Sequence, residues 1–357
     1  MRAALVSPYA LDVFGGVQSQ VLGLAAALRG VGHEVLVVSP VSGAVAPDGV
    51  IGVGATVAVP VNGSRAPVSP FPSTARRARA VVEDFHPDVV HLHEPLVPGP
   101  CLGVLGLRGL VSVGTFHRAD AGLLYPALRP LLAPFARRLG LRVAVSAAAR
   151  ETARRALGRR LEPSLILENA VDVDTYARAV PEPTEGPTVV FLGRHEQRKG
   201  LEIALRGFLL LPENFRFWVL GAGPQTERLH REYHDHRVRW LGALRNEEAA
   251  AFVKGADVLV APSLGGESFG VVLLDAMAAG TAVVASDLPG YRDAGLGAAR
   301  FVPPGSPEAL AASVLELLGD PAQRLGLEEE GRRRASSHSF TELARRYLRC
   351  YEELLAR

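Results

Sequence analysis

The chain has 357 residues, too many for one comfortable core, so two domains are expected. A hydrophobic share of 48% with 6% aromatics describes an ordinary globular protein, and a formal net charge of +2 gives no global field for nucleic acid. Cys101 and Cys350 supply neither a disulfide framework nor a zinc spacing, and no apolar run reaches the ~20 residues of a membrane span.

The opening MRAALVSPY runs straight into a predicted strand without signal-peptide architecture, which reads as a reduced, cytoplasmic protein. In the first half, residues 3–7, 34–39, 88–92, 110–116 and 142–146 read as buried parallel strands. Gly15 and Gly16 follow the first of them and open a helical pattern over 17–30. Residues 40–72 are rich in Pro, Gly and Ser and predict strands and loops of lower regularity. The stretch VPEPTEGP (180–187) reads as a linker, and strands at 188–193, 215–221, 237–242, 257–263 and 281–286 follow it. Residues 339–357 form an amphipathic helix whose docking site periodicity does not give. Strand–helix alternation repeated twice predicts an α/β protein with two doubly wound parallel sheets. Such sheets bind ligands beyond the carboxyl ends of their strands, so two of them would enclose a cleft.

Several residues sit where that rule wants them. Gly15 and Gly16 let backbone N–H groups approach an anion; a plain tight turn is the alternative. In GRHEQRKG (193–200), Arg194 and Lys199 bracket a loop between strand and helix, a good diphosphate clamp. The chain has only two lysines, Lys199 and Lys254, which gives that placement weight. Gly221 and Gly223 follow another strand, but Thr226 breaks the dinucleotide fingerprint and disfavours a nicotinamide enzyme. Glu267 lies between the strand at 257–263 and a helix read as FGVVLLDAMAAG (269–280), so Ser268, Phe269 and Gly270 would offer first-turn N–H groups. On a continuous helix Asp275 would lie about 12 Å further along, and a buried Asp there needs a partner. His117 ends a strand of the first half. HLHE (91–94) and HREYHDH (230–236) crowd imidazoles without a full metal set, and VDVD (171–174) reads as structural. No metal site is expected.

Taken together, GGVQSQV (15–21), HEPLVPG (93–99), GTFHRA (114–119), NAVDVDTY (169–176), GRHEQRKG (193–200) and GGESFGVVLLDAMAAGTAVVASDLPG (265–290) resemble a known family. The chain is similar to the retaining GT-B glycosyltransferases of family 4, and among them to the bacterial phosphatidyl-myo-inositol mannosyltransferases. The resemblance implies two Rossmann-like domains facing across a cleft: 1–170 on the acceptor side, joined by a helix of about 340–357 crossing back, and 171–339 on the nucleotide-sugar side. It implies a nucleotide-diphospho-sugar donor, GDP-mannose favoured, with no cofactor required. Gly15, Gly16 and Gly223 would approach the donor, and Arg194 and Lys199 would hold its diphosphate. Glu267, with Ser268, Phe269 and Gly270, would meet the sugar, Asp275 the ribose, and His117 the reacting face. A lipid or inositol-type acceptor would lie near Tyr9, Asp12, Gln18, Asn62, Arg65, His117 and Arg118. Asp275 replaces the family's usual Glu, and Leu96, Arg118 and Val61 depart from the mannosyltransferase pattern. The loop at 242–249 leaves guanine and uracil both open. Arg76, Arg77 and Arg79, with the Arg- and Leu-rich stretch 123–142, suggest peripheral contact with an anionic membrane on the inner face of the plasma membrane. A family 4 transferase with a UDP-sugar and another acceptor, a sugar-nucleotide epimerase and a non-catalytic nucleotide-sugar-binding protein are the competing readings.

Overall fold

A computed structural model describes residues 1–13, 15–43, 45–61, 64–107, 109–119 and 128–357. The chain divides into two compact units, Met1–Asn169 with Phe340–Arg357, and Ala170–Ser339.

The first unit contains β1 (Arg2–Val6), β2 (Glu34–Val41), β3 (Val50–Ala55), β4 (Val57–Val61), β5 (Ser64–Val68), β6 (Val89–His93), β7 (Val111–Phe116), β8 (Leu141–Ala144) and β9 (Leu165–Ile166). Seven of them form a parallel sheet in the order β3-β2-β1-β6-β7-β8-β9. Covered on both faces, its strands are near-continuous apolar runs, and Ala3 to Val6 of β1 are fully buried. The irregular composition of 40–72 resolves into β3 and a separate antiparallel hairpin of β4 and β5. Pro60 and Pro67 fit there because a two-stranded ribbon leaves their nitrogens without a required partner.

The second unit contains β10 (Thr188–Leu192), β11 (Arg216–Leu220), β12 (Val238–Gly242), β13 (Val258–Ala261), β14 (Ala282–Ser286) and β15 (Arg300–Val302). These form a parallel sheet ordered β12-β11-β10-β13-β14-β15. The Pro- and Glu-rich stretch 180–187 is not a linker. It lies inside this unit, where the Glu182 N–H donates to the Ala251 carbonyl and the Glu182 carboxylate pairs with Arg239 at 3.0 Å.

The helix Phe340–Leu355 belongs to the first unit. Its Tyr347 and Tyr351 are buried, and the Phe340 ring lies where a Cβ on Gly23 would stand, only 2.2 Å from one ring carbon. Glycine at 23 is thus a packing requirement of the helix Gly16–Gly30. Among the described residues no helix is long and apolar enough to cross a membrane.

Each sheet has one place where successive connections turn in opposite directions, between β1 and β6 and between β10 and β13. The crevice beyond the strand ends at such a place is where doubly wound sheets bind ligands.

Candidate functional site

At the second unit's switch point, the turn leaving β10 meets the segment leaving β13. The Leu264 N–H donates to the Arg198 carbonyl at 2.7 Å. Gly200 has φ 71°, and a Cβ there would lie 1.9 Å from the Pro262 carbonyl oxygen, so only glycine lets the two segments touch. This contact brings residues 194–199 against Glu267. The Lys199 ammonium is 2.7 Å from Glu267 Oε1, Arg198 Nη1 is 3.2 Å from the same oxygen, and the Ser263 hydroxyl donates to it at 3.0 Å. Ser263 is in turn 2.8 Å from the Tyr291 hydroxyl. Burial pushes the Glu267 carboxyl up, but Lys199 and Arg198 outweigh it and hold the group below its ordinary value. Glu196, also buried, takes Arg194 Nε at 3.0 Å on one oxygen and Arg198 Nε at 3.2 Å on the other. Three cations and two carboxylates therefore form one cluster at the strand ends.

The first unit's switch point carries imidazoles. Alternation along β6 puts His91 and His93 on one face, with ring centroids 4.4 Å apart. His93 Nδ1 is 2.9 Å from His117 Nε2, so one of the two nitrogens carries the shared hydrogen. His91 bonds the Tyr351 hydroxyl through Nδ1 and the Thr115 hydroxyl through Nε2, each at 2.7 Å. Burial, with His117 close by, lowers His91 to about 3; burial lowers His117 to about 3 and holds His93 well below its usual value. All three are neutral at physiological pH, so His117 can hydrogen-bond but carries no charge. Its backbone N–H donates to Glu94 Oε1 at 2.6 Å, and Glu94 itself sits at φ 49°, a strained backbone for a non-glycine residue. A cavity of about 240 Å³ lined by Val90, Leu92, Val104, Leu105 and Leu110 opens on the other face of β6, away from these rings.

Gly16 begins the helix after the β1 turn, and a Cβ there would meet nothing within 4 Å, so the space beside it is open. Gly15 is extended at φ 180°, with Gln18 folded against it. Several expectations need correction. The helix after Glu267 begins at Val271, so Glu267 lies in a loop four residues earlier and is not a first-turn carboxylate. The 12 Å estimate to Asp275, which assumed a continuous helix, loses its basis. The Phe269 side chain is fully buried in the core and stacks on His338, which leaves only its backbone N–H for the expected donor contact. Gly270 and Gly223 also have a packing reason to be glycine: a Cβ would strike the Tyr291 ring at 2.5 Å and the His195 backbone at 2.8 Å. Ser268 lies in the loop with Glu267. Asp275 is raised to about 8 by burial and by the nearby Asp172.

Around the first unit, Asp12 is already engaged, accepting the N–H groups of Ser42 and Gly43. Gln18 donates to the Ala10 carbonyl, and Tyr9 bridges to Val68. Leu96 is core, whereas Arg118 is half-buried with its charge near Glu94. Asn62 and the Arg65 side chain lie outside the described residues, as do residues 123–127 of the Arg- and Leu-rich stretch. The remainder of that stretch includes the helix Arg129–Ala136, in which Pro130 occupies the permissive first turn and Pro134 lies inside. Asp172 of VDVD caps the helix Val173–Arg178 by accepting from the Thr175 N–H and hydroxyl. His91 and His93 are committed to Tyr351, Thr115 and His117. Among the described residues, no group of three or more His, Cys, Asp or Glu could hold a metal ion. Sequence reasoning missed Glu196, Arg198, Ser263 and Glu94; the first two lay within the GRHEQRKG motif, where the only signal was unpaired charge density.

Comparison with known proteins identifies the family. Residues 14–175 match the model of Glycosyltransferase Family 4, and residues 186–320 match that of Glycosyl transferases group 1. The phosphatidyl-myo-inositol mannosyltransferase of Mycolicibacterium smegmatis is 38% identical, covering 99% of this chain and 94% of that protein. That of Mycobacterium tuberculosis is 35% identical over 99% and 97%. Among solved structures, sucrose-phosphate synthase from Thermosynechococcus elongatus superposes with a TM-score of 0.80 at 20% identity, covering 99% of both chains. Anabaena HepE in complex with UDP gives 0.77 at 16% identity, covering 99% of this chain and all of its own. Both share the fold, two Rossmann-like domains built on parallel sheets. The chain belongs to the family 4 glycosyltransferases of GT-B fold.

Proposed function

We propose that this glycosyltransferase is a retaining mannosyltransferase that moves mannose from GDP-mannose to a phosphatidylinositol-like acceptor. The observation that carries the donor side is the charge cluster beyond β10 and β13, where Arg194 and Lys199 stand at a switch point beside the buried Glu267. The relatives named as phosphatidyl-myo-inositol mannosyltransferases, alike over nearly the whole chain, support the sugar and acceptor. Arg194 and Lys199 would neutralise the departing diphosphate, and Glu267 would accept hydrogen bonds from sugar hydroxyls. The acceptor oxygen forms its bond to the anomeric carbon on the face from which the diphosphate leaves. As the bond from the anomeric carbon to the diphosphate oxygen breaks, the acceptor proton passes to the departing phosphate, and stabilisation of that leaving group supplies much of the rate. Neutral His117 would hydrogen-bond near the reacting face, and the open space beside Gly16 would admit the donor. The exposed Arg76, Arg77 and Arg79 on the helix Pro72–Phe85 would meet anionic headgroups.

A thermal-shift panel of GDP-, UDP- and ADP-sugars tests the donor, because binding stabilises the fold in proportion to ln(1 + [L]/Kd). GDP-mannose is expected to give the largest shift, and phosphatidylinositol vesicles to receive radiolabelled mannose. Transfer is expected to fall by about 100-fold or more in Glu267→Ala and in Lys199→Ala. Wild-type transfer in both variants would sink these roles, and donor binding without turnover on any acceptor would favour a non-catalytic protein.

A further inference from the structure

The cluster beyond β10 holds a cation that the donor reading leaves without a task. Arg198 lies between the two buried carboxylates, its Nε on Glu196 and its Nη1 on Glu267. Its backbone carbonyl is bonded to Leu264, and the next-but-one residue is the close-packed Gly200, so the turn that carries it is fixed to the segment leading to Glu267. Lys199 is held differently: among the described residues its one ion pair is with Glu267. All three bonds to Glu267 fall on Oε1, so Oε2 takes none of them.

Charge counting then raises a problem for donor binding. Arg194, Arg198 and Lys199 against Glu196 and Glu267 leave only one positive charge in excess. A diphosphate brings at least two negative charges and competes with the carboxylates for Arg194 and Lys199. Lys199, a point charge on a flexible stem, can swing from Glu267 to a phosphate. Arg198 cannot follow without breaking two charged bonds, and its planar fork suits a bridge between two carboxylates.

We propose that Arg198 is a positioning residue, which keeps Glu267 ionised and aimed at the donor sugar after Lys199 has turned to the diphosphate. The inference rests on the donor-site reading above and deepens it. The groups facing Glu267 are Arg198 and Lys199 from the turn after β10, Ser263 from the exit of β13, and Tyr291 from the helix Pro289–Gly295. Tyr291 is a neutral phenol, pushed up by burial and by Glu267 itself, so once Lys199 leaves, Arg198 is the cation of this set that remains. Without it, Glu267 faces a diphosphate with the Ser263 hydroxyl but no paired cation, and takes up a proton more readily. Protonation would remove acceptor capacity from the oxygen pair that meets the sugar.

The test compares Arg198→Gln, Arg198→Lys and Lys199→Gln with wild type, measuring GDP binding by thermal shift and donor turnover as a function of pH. Arg198→Gln is expected to bind GDP within about threefold of wild type, to lose about 100-fold in kcat, and to shift the acidic limb of kcat upward by about one pH unit. Arg198→Lys should recover part of the rate and of the pH shift, and it also serves if the glutamine variant fails to fold. Lys199→Gln should lose GDP affinity. Loss of GDP binding in Arg198→Gln as large as in Lys199→Gln would make Arg198 a phosphate ligand and overturn the proposal. So would an acidic limb that coincides with wild type. Absence of donor turnover by the wild type itself would instead overturn the transferase reading, and this inference with it.

Discussion

Glu267 and Asp275 stand eight positions apart in the sequence, yet their surroundings drive them to opposite protonation states. Glu267 has two cations on one oxygen and stays ionised, whereas Asp275 has burial and another carboxylate, Asp172, and is raised to about 8. At neutral pH Asp275 is mostly a neutral acid. Its folded pKa exceeds the ordinary 3.8, so its stabilising contribution is complete below about pH 4 and is lost as pH rises toward 8. In Asp275→Asn this dependence disappears. The melting temperature of Asp275→Asn minus that of wild type should therefore grow between about pH 5 and pH 8 and flatten above it. A difference constant across that range would show that Asp275 is not raised in the folded protein. The sequence flags a buried Asp275 but not this contrast, because the pairing of Glu267 with Lys199 spans 68 positions and depends on the Gly200–Pro262 approach and the Leu264–Arg198 bond. Arg194, Lys199 and Glu267 were legible through the strand-end rule; Glu196 and Arg198 were not, since their meaning lies in whom they touch.

At the scale of elements, periodicity revealed most of the buried strands and the helix Gly16–Gly30, because apolar runs punctuated by Gly and Pro carry that signal locally. It missed the short β9 and β15, of two and three residues, and did not resolve the β4–β5 hairpin, where Pro and Gly obscure alternation. It also could not dock the last helix. Phe340–Leu355 is fastened by Tyr347 to Thr115 at 2.9 Å and by Tyr351 to His91 at 2.7 Å, across 232 and 260 positions. Thr115 and His91 are bonded to each other, so these four side chains form one buried network against β6 and β7. Replacing either tyrosine with phenylalanine leaves a buried polar group short of a partner, a cost of about 1–3 kcal/mol. Tyr347→Phe and Tyr351→Phe should each lower the melting temperature by several degrees. The double variant should lose less than the sum of the two, because the network is shared. Strict additivity, measured by thermal or urea unfolding, would mean that the two tyrosines hold the helix independently.

For the molecule as a whole, buried titratable groups give the two units different responses to acid. In the first unit, His91, His93 and His117 are all depressed below 6.5. Below that pH the unfolded chain binds protons that the folded unit refuses, so stability present above pH 6.5 is lost as pH falls. Glu94 works the other way, since burial raises it above 4.5, but it is one group against three. In the second unit, His195 is lowered to about 4 and loses stability with acid, while Asp275 and Glu328 are raised and gain it. The carboxylates held low there, Glu267 among them, titrate below 4.5 and do not enter the interval. Lowering the pH from about 7.5 to 5 should therefore weaken the first unit and leave the second unchanged or slightly firmer. Hydrogen exchange corrected for intrinsic rates reads both at once. Amides of β6, β7 and the helix Phe340–Leu355 should lose protection at pH 5, whereas those of β13 and β14 should keep theirs. Equal loss in both units would place the acid response outside the three histidines, and Tyr351→Phe would then leave the pH dependence of β6 unaltered.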